Sequence, residues 1–124
     1  MSLVPHELKY TKDHEWTKIE GAVATVGVTD HAQRELGDIV FVELPKVGAE
    51  VHSGKSFGTI EAVKTVAELY APVSGTVTEV NAALSADAGV INQDPYGNGW
   101  IIKVKVDKAS QEGLLDAAAY KALI

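Results

Sequence analysis

The sequence predicts a mainly β fold, a sandwich or flattened barrel carrying two short helices. Three observations predict it. Apolar and polar residues alternate in several short runs, turn residues recur between those runs, and the helix-like segments are brief and confined to two places. The chain of 124 residues is one domain's length, 1–124, with no low-complexity linker dividing it.

The elements follow in chain order. Val23 to Val28 alternates between Gly21 and Thr29-Asp30 and reads as a strand. Thr29 and Asp30 can cap a short helix through about Leu36, which Gly37 ends. Ile39 to Leu44 is a β-branched and aromatic run stopped by Pro45. Ser56–Glu61 and Thr65–Tyr70 flank a short connection and predict a hairpin. Gly75–Val80 and Trp100–Val106 alternate cleanly, the second with Lys103 and Lys105 on one face. From Ser110 the chain is rich in Ala, Leu, Gln and Lys. Asp116 can cap a last helix from Ala117 to about Leu123, with Leu114, Leu115, Tyr120 and Leu123 toward the sheet. Between these elements lie the turn clusters Pro45–Gly48, Ser53-Gly54, Pro72–Gly75 and Pro95–Gly99. Gly37–Leu44 and Gly75–Val80 share a weak internal echo, each a glycine leading into a β-branched strand.

Composition narrows the function classes. There is no cysteine, so disulfides, thiolate nucleophiles and Cys-ligated metals are excluded. The formal net charge of −6 disfavours nucleic acid; it either steers basic protein partners or merely keeps the domain soluble. No apolar run is long enough to span a membrane, and the N-terminus has neither a secretory nor a transit pattern. The expectation is a soluble intracellular protein, cytoplasmic in a bacterium or in the mitochondrial matrix if it is a processed eukaryotic chain, with the cytoplasm favoured. No nucleophile elbow, P-loop or dinucleotide fingerprint is present. His6, His14, His31 and His52 have no helical metal-pair spacing and read as structural or surface residues. An enzyme is not expected, and neither a catalytic residue nor a metal site is assigned.

One segment stands apart. Lys64 sits where two strand-like runs join, so a hairpin would project it from the exposed tip, where a second enzyme could reach it. Glu61-Ala62-Val63-Lys64 followed by Ala71-Pro72-Val73-Ser74-Gly75 resembles a lipoyl-attachment motif. Almost the whole chain, in order, resembles the glycine cleavage H proteins. The stretches that carry the resemblance are Tyr10–Trp16, Val26–Gln33, Leu36–Pro45, Ile91-Asn92, Asp94–Gly97 and Gly99-Trp100. Ala62 and Thr65 depart from the usual serine and alanine beside the lysine. No methionine flanks Lys64, as one does in biotin carriers.

The resemblance implies a barrel-sandwich hybrid with a pseudo-two-fold axis and a C-terminal helix. It implies lipoate joined to Lys64 as an amide. The arm would shuttle an aminomethyl group from glycine decarboxylase to aminomethyltransferase and be reoxidised by dihydrolipoyl dehydrogenase. It further implies that Glu61, Gly48 and Gly75 help the lipoyl-attaching enzyme recognise the hairpin. Asp13, Glu15 and Glu68 would line the cleft where the loaded arm parks, and the protein is expected to be monomeric. The alternative is a lipoyl carrier or lipoate donor serving 2-oxoacid dehydrogenases.

Overall fold

A computed structural model describes residues 3–106 and 113–124. The first two strands, β1 (Lys9–Tyr10) and β2 (Glu15–Glu20), precede β3 (Val23–Val28) and the helix α1 (Asp30–Leu36). Then come β4 (Ile39–Glu43), β5 (Glu50–Val51), β6 (Ser56–Ala62), β7 (Val66–Tyr70) and β8 (Gly75–Val80). Two four-residue helices, α2 (Ala83–Ala86) and α3 (Val90–Gln93), lead to β9 (Ile102–Val106) and the final helix α4 (Ala117–Leu123).

The strands form two sheets. A six-stranded sheet runs β1-β2-β3-β9-β8-β5, and a three-stranded sheet runs β4-β6-β7. Every pairing between these strands is antiparallel. The main core is filled from both sheets. Val26, Ile102 and Val104 come from the large sheet, and Val42, Ile60 and Leu69 from the small one, each at most 5 % exposed. A mainly β fold of two sheets with a C-terminal helix is what the strand pattern predicts.

Helix α1 starts and stops as its sequence dictates. The Thr29 hydroxyl accepts from the Ala32 amide, and the chain leaves the helix at Gly37 with φ +78°. Asp116 caps α4 in the same way, accepting from the Ala119 amide. A second, smaller cluster packs α4 onto the frame: Tyr10 stacks on Tyr120 at 4.7 Å between ring centroids, with Trp16, Leu8 and Ala117 around them.

The tail differs from the sequence expectation in part. Tyr120 is fully buried, but Leu123 is 55 % exposed and does not face the sheet. Leu115 lies outside the helix and pairs with Tyr10 through backbone hydrogen bonds in both directions. Extended pairing satisfies those two backbone groups, which is why the helix begins only after Asp116. The part of the tail from Ser110 to Glu112 lies outside the described residues.

The internal echo does not extend to what its residues do. Strand β4 belongs to the small sheet and β8 to the large one. Gly37 supplies a left-handed helix exit, whereas Gly75 lies against the Lys105 carbonyl on the neighbouring strand.

One buried side-chain polar atom is left without a partner among the described residues: the Thr17 hydroxyl on β2. A buried unpaired hydroxyl costs about 1–3 kcal/mol. Thr17→Val keeps the shape and the strand propensity, so it should raise the unfolding free energy by about 1 kcal/mol in urea titrations. A loss of stability would mean that the hydroxyl has a partner.

Candidate functional site

The β6–β7 hairpin turns through Val63 and Lys64. The Ala62 amide donates to the Thr65 carbonyl across the turn at 2.8 Å, closing a tight connection. The Val63 amide donates to the Asp38 carbonyl at 3.0 Å, which ties the tip to the start of β4. The tip is therefore held by backbone bonds on two sides while its side chains stay outside. Val63 is 69 % exposed, and Lys64 is exposed with no ion pair among the described residues.

Two depressions lie on either side of the end of α1, sharing residues of that helix. One, of about 390 Å³, is walled by Lys64, Val63, Asp38 and the end of α1. The other, of about 160 Å³, is lined by Asp13, Glu15 and Glu68 together with His14 and apolar residues that include Val28, Ile60 and Leu69. Glu35 and Leu36 on α1 border both, so the two depressions share the wall that the end of α1 provides. The three acids singled out in the sequence thus converge on one pocket.

They converge with different environments. Asp13 and Glu68 are exposed, and Glu68 accepts a hydrogen bond from the Ser56 hydroxyl at 2.7 Å. Glu15 is only 2 % exposed. Burial pushes its carboxyl up to about 8. The hydrogen bonds it accepts from the Thr11 hydroxyl and the Tyr70 amide oppose that rise, and nearby Asp13 adds to it. Glu15 is thus a core acid with one face on the pocket, not an ordinary surface carboxylate.

The histidines read as structural or surface residues include two beside this pocket. His14 takes φ +70°, uncommon for a residue with a side chain. Its Nδ1 lies 2.8 Å from the Tyr120 hydroxyl, and its ring is 4.7 Å from that of His31. Burial lowers the His14 pKa and the His31 charge lowers it further, while Asp13 and Glu35 act the other way. The sequence reading missed Glu35, Leu36 and Ala32 as pocket walls. Their only signal was helical spacing, which places Ala32, Glu35 and Leu36 on one face of α1.

Of the remaining residues singled out for attachment, Glu61 lies in the small sheet and the two glycines at the large one. Glu61 is half-buried on β6, paired with Val66 and Phe41, close to the turn. Gly75 pairs with Val51 in the β5–β8 ladder of the large sheet, Gly48 precedes β5 and donates its amide to the Val77 carbonyl, and neither lines the depression beside Lys64. Gly48 has φ +93° with open space around it, so its turn needs glycine for its backbone alone. A Cβ at Gly75 would overlap the Lys105 carbonyl oxygen. Gly75→Ala must push two paired strands apart and should cost about 1–3 kcal/mol of stability. A Gly75→Ala variant as stable as wild type in thermal unfolding would show that β8 and β9 can separate freely.

Comparison with known proteins agrees with this geometry. The family model described as "Glycine cleavage H-protein" matches residues 8–124. A glycine cleavage system H protein of Chlorobium limicola is 58 % identical over 124 residues, spanning 98 % of this chain and 97 % of its own. That of Herpetosiphon aurantiacus is 55 % identical over 124 residues, spanning 100 % of this chain and 95 % of its own. The crystal structure of a glycine cleavage system H protein from Mycobacterium marinum superposes with a TM-score of 0.89 at 43 % identity, covering 96 % of this chain and 97 % of that one. With the match running through both sheets, the hairpin and the C-terminal helix, the chain belongs to the glycine cleavage H-protein family.

Proposed function

We propose that this chain is the lipoyl-bearing shuttle of the glycine cleavage system, with lipoate joined as an amide to the side-chain nitrogen of Lys64. The observation that carries the reading is the position of Lys64: exposed at a backbone-tied hairpin tip, on a groove that shares its α1 wall, Glu35 and Leu36, with an acid-lined pocket. The residues present fit the group. The lysine is free of ion pairs among the described residues, its neighbours leave it accessible, and the groove offers the apolar wall of Leu36 to an aliphatic arm. Lipoate, when bound, supplies a disulfide that is opened to take up a one-carbon amine from glycine and closed again on reoxidation.

The protein's own part is presentation, steering and shelter. The tight turn presents Lys64 at the outside of the fold, so an active site can enclose its side chain. Glu61, beside the turn, offers the attaching enzyme a carboxylate, while Gly48 and Gly75 would contribute through the turn and strand packing they permit. Asp13, Glu15 and Glu68 would hold a protonated amine at the end of a loaded arm and keep water from it. A cation entering the pocket favours the charged form of Glu15, so docking and ionisation of that residue would be linked.

The reading implies a carrier component with no catalytic residue of its own. It would work as a monomer with glycine decarboxylase, aminomethyltransferase and dihydrolipoyl dehydrogenase, and its bacterial relatives support a cytoplasmic setting. Among the described residues no helix is long and apolar enough to cross a membrane.

Intact mass after incubation with lipoate, ATP and a lipoyl ligase tests attachment: a single lipoyl addition is expected, and none would refute the carrier role. Shelter is tested separately. Glu68→Ala should take up lipoate like wild type. Losing one charge-assisted hydrogen bond worth about 1.5–3 kcal/mol, it should release formaldehyde from the loaded protein roughly ten- to a hundredfold faster when no transferase is present. Release at the wild-type rate would remove Glu68 from the pocket's function.

A further inference from the structure

Strand β4 does not alternate as a regular strand would. Its register slips between Ile39, opposite Ala62, and Phe41, opposite Glu61. This bulge places two consecutive apolar side chains outside: Val40 is 58 % and Phe41 50 % exposed, while Ile39 and Val42 on either side are buried. On the same outer face Glu61 lies opposite both Phe41 and Val66, and Val66 is 60 % exposed. With Val63 at the tip, four exposed apolar side chains lie on the hairpin that carries Lys64 and on the strand beside it. The other exposed large apolar residues, such as Leu3, Val47 and Ile124 at termini and turns and Val23 at the start of β3, are scattered singly, which is ordinary for a protein surface. The next row back is acidic, with Glu43 and Glu68 both opposite Thr59.

We propose that this patch, Phe41, Val66, Val40 and Val63 around Lys64 with Glu43 and Glu68 behind, is the docking surface for the enzyme that acylates Lys64. The proposal rests on Lys64 being the attachment point. Reach decides the occupant. An enzyme that uses the finished arm meets its distal end and can stand off from the hairpin. The acylating enzyme must bring the lysine nitrogen itself to its reactive acyl group, and a lysine stem is short. Whatever borders the turn is therefore covered in that complex, and apolar side chains there gain by losing water. The acidic row calls for a basic rim on the partner. It also opposes pairing of this face with a second copy, which would set like charges against each other.

The bulge is what makes the surface. Without it, Phe41 would turn inward with Ile39, and the tip would carry Val40 alone on that edge. Because the bulged strand is also the edge of the small sheet, the patch extends from the turn onto an accessible side.

Steady-state lipoylation by a lipoyl ligase with lipoate and ATP, as a function of carrier concentration, tests the proposal. Phe41→Ser combined with Val66→Thr should raise the KM for the carrier by about tenfold or more, as truncation of central apolar contacts does, and leave kcat within about twofold. The thermal midpoint should stay near wild type because both positions are exposed. Acetic anhydride should still acetylate Lys64 at the wild-type rate. If the double variant is less stable, Val66→Thr alone carries the comparison and should raise KM several-fold. A KM unchanged within about twofold, with wild type fully modified, overturns the docking surface. So does an effect seen only in turnover with glycine decarboxylase, or a wild-type dimer in sedimentation that the variants abolish. Wild type that takes no lipoate overturns the Lys64 assignment itself and the docking proposal with it.

Discussion

Lys64→Arg is expected to fold like wild type and to accept no lipoyl group at all. Arginine keeps the positive charge and the length of the side chain, and an exposed hairpin tip contributes little to stability, so thermal unfolding should shift by less than about 0.5 kcal/mol. Both turn bonds that hold the tip are made by backbone atoms of Ala62, Val63, Thr65 and Asp38, and the substitution leaves all of them in place. The guanidinium remains protonated at neutral pH and cannot act as the amine nucleophile that amide formation needs. Intact-mass spectra should therefore show one addition on wild type and none on the variant. Transfer of a one-carbon unit from glycine should fall to background. A lipoyl addition persisting on Lys64→Arg would place attachment at another lysine.

The second large effect is on stability as a function of pH. Glu15 binds its proton more tightly in the fold than in the unfolded chain, with a folded value near 8 against an ordinary 4.5. Between those values the unfolded chain has released a proton that the folded one still holds. Raising the pH therefore drains stability, by up to about 1.4 kcal/mol per pH unit in the middle of the window. The loss begins near the ordinary value and levels off above about 8. His14, whose pKa is lowered in the fold, works in the opposite direction, but only below its ordinary value of 6.5. Urea unfolding compared at pH 7 and 8.5 isolates Glu15, and wild type should be less stable at the higher pH. Glu15→Gln can keep its oxygen as acceptor for the Tyr70 amide and turn its NH2 as donor to the Thr11 hydroxyl, without a titrating charge, so its stability should be nearly flat over that interval. Parallel pH profiles for the two proteins would show that Glu15 is ionised in the fold despite its burial.

Much of the frame was legible in the sequence because local chemistry and tertiary structure agree there. Val23–Val28 alternates toward one core, Thr29 and Gly37 bracket a helix, and the runs on either side of Lys64 pair as read. The rest was obscured by identifiable causes. In β2, Glu15, Trp16 and Thr17 are all buried, so both faces are covered and no alternation exists to be seen. Strands β1 and β5 are two residues long, and α2 and α3 begin without a side-chain cap, so none of them carries a pattern or a start signal. The bulge in β4 broke the period that would have sorted Val40 and Phe41 to opposite faces. Of the site, position was legible and environment was not. Asp13, Glu15 and Glu68 could be named from the sequence, but nothing in the letters distinguishes the exposed Glu68 from Glu15, which lies in the core against Tyr70.

The small aromatic cluster has a spectroscopic consequence. Both tryptophans belong to it. Trp16 is buried with its indole N–H donated to the Pro95 carbonyl at 2.9 Å, and Trp100 packs beside it with the Lys103 ammonium 5.2 Å from its ring centroid. The three-stranded sheet that carries Lys64 contains no tryptophan. Intrinsic emission therefore reports on the seam between the frame and the last helix, and the hairpin is dark in that channel. A fluorescence melt would follow the undocking of α4 and register nothing of fraying at the carrier tip. A tryptophan introduced at exposed Val63 would light the tip independently, giving two readouts of one molecule that separate only if its two ends open at different temperatures.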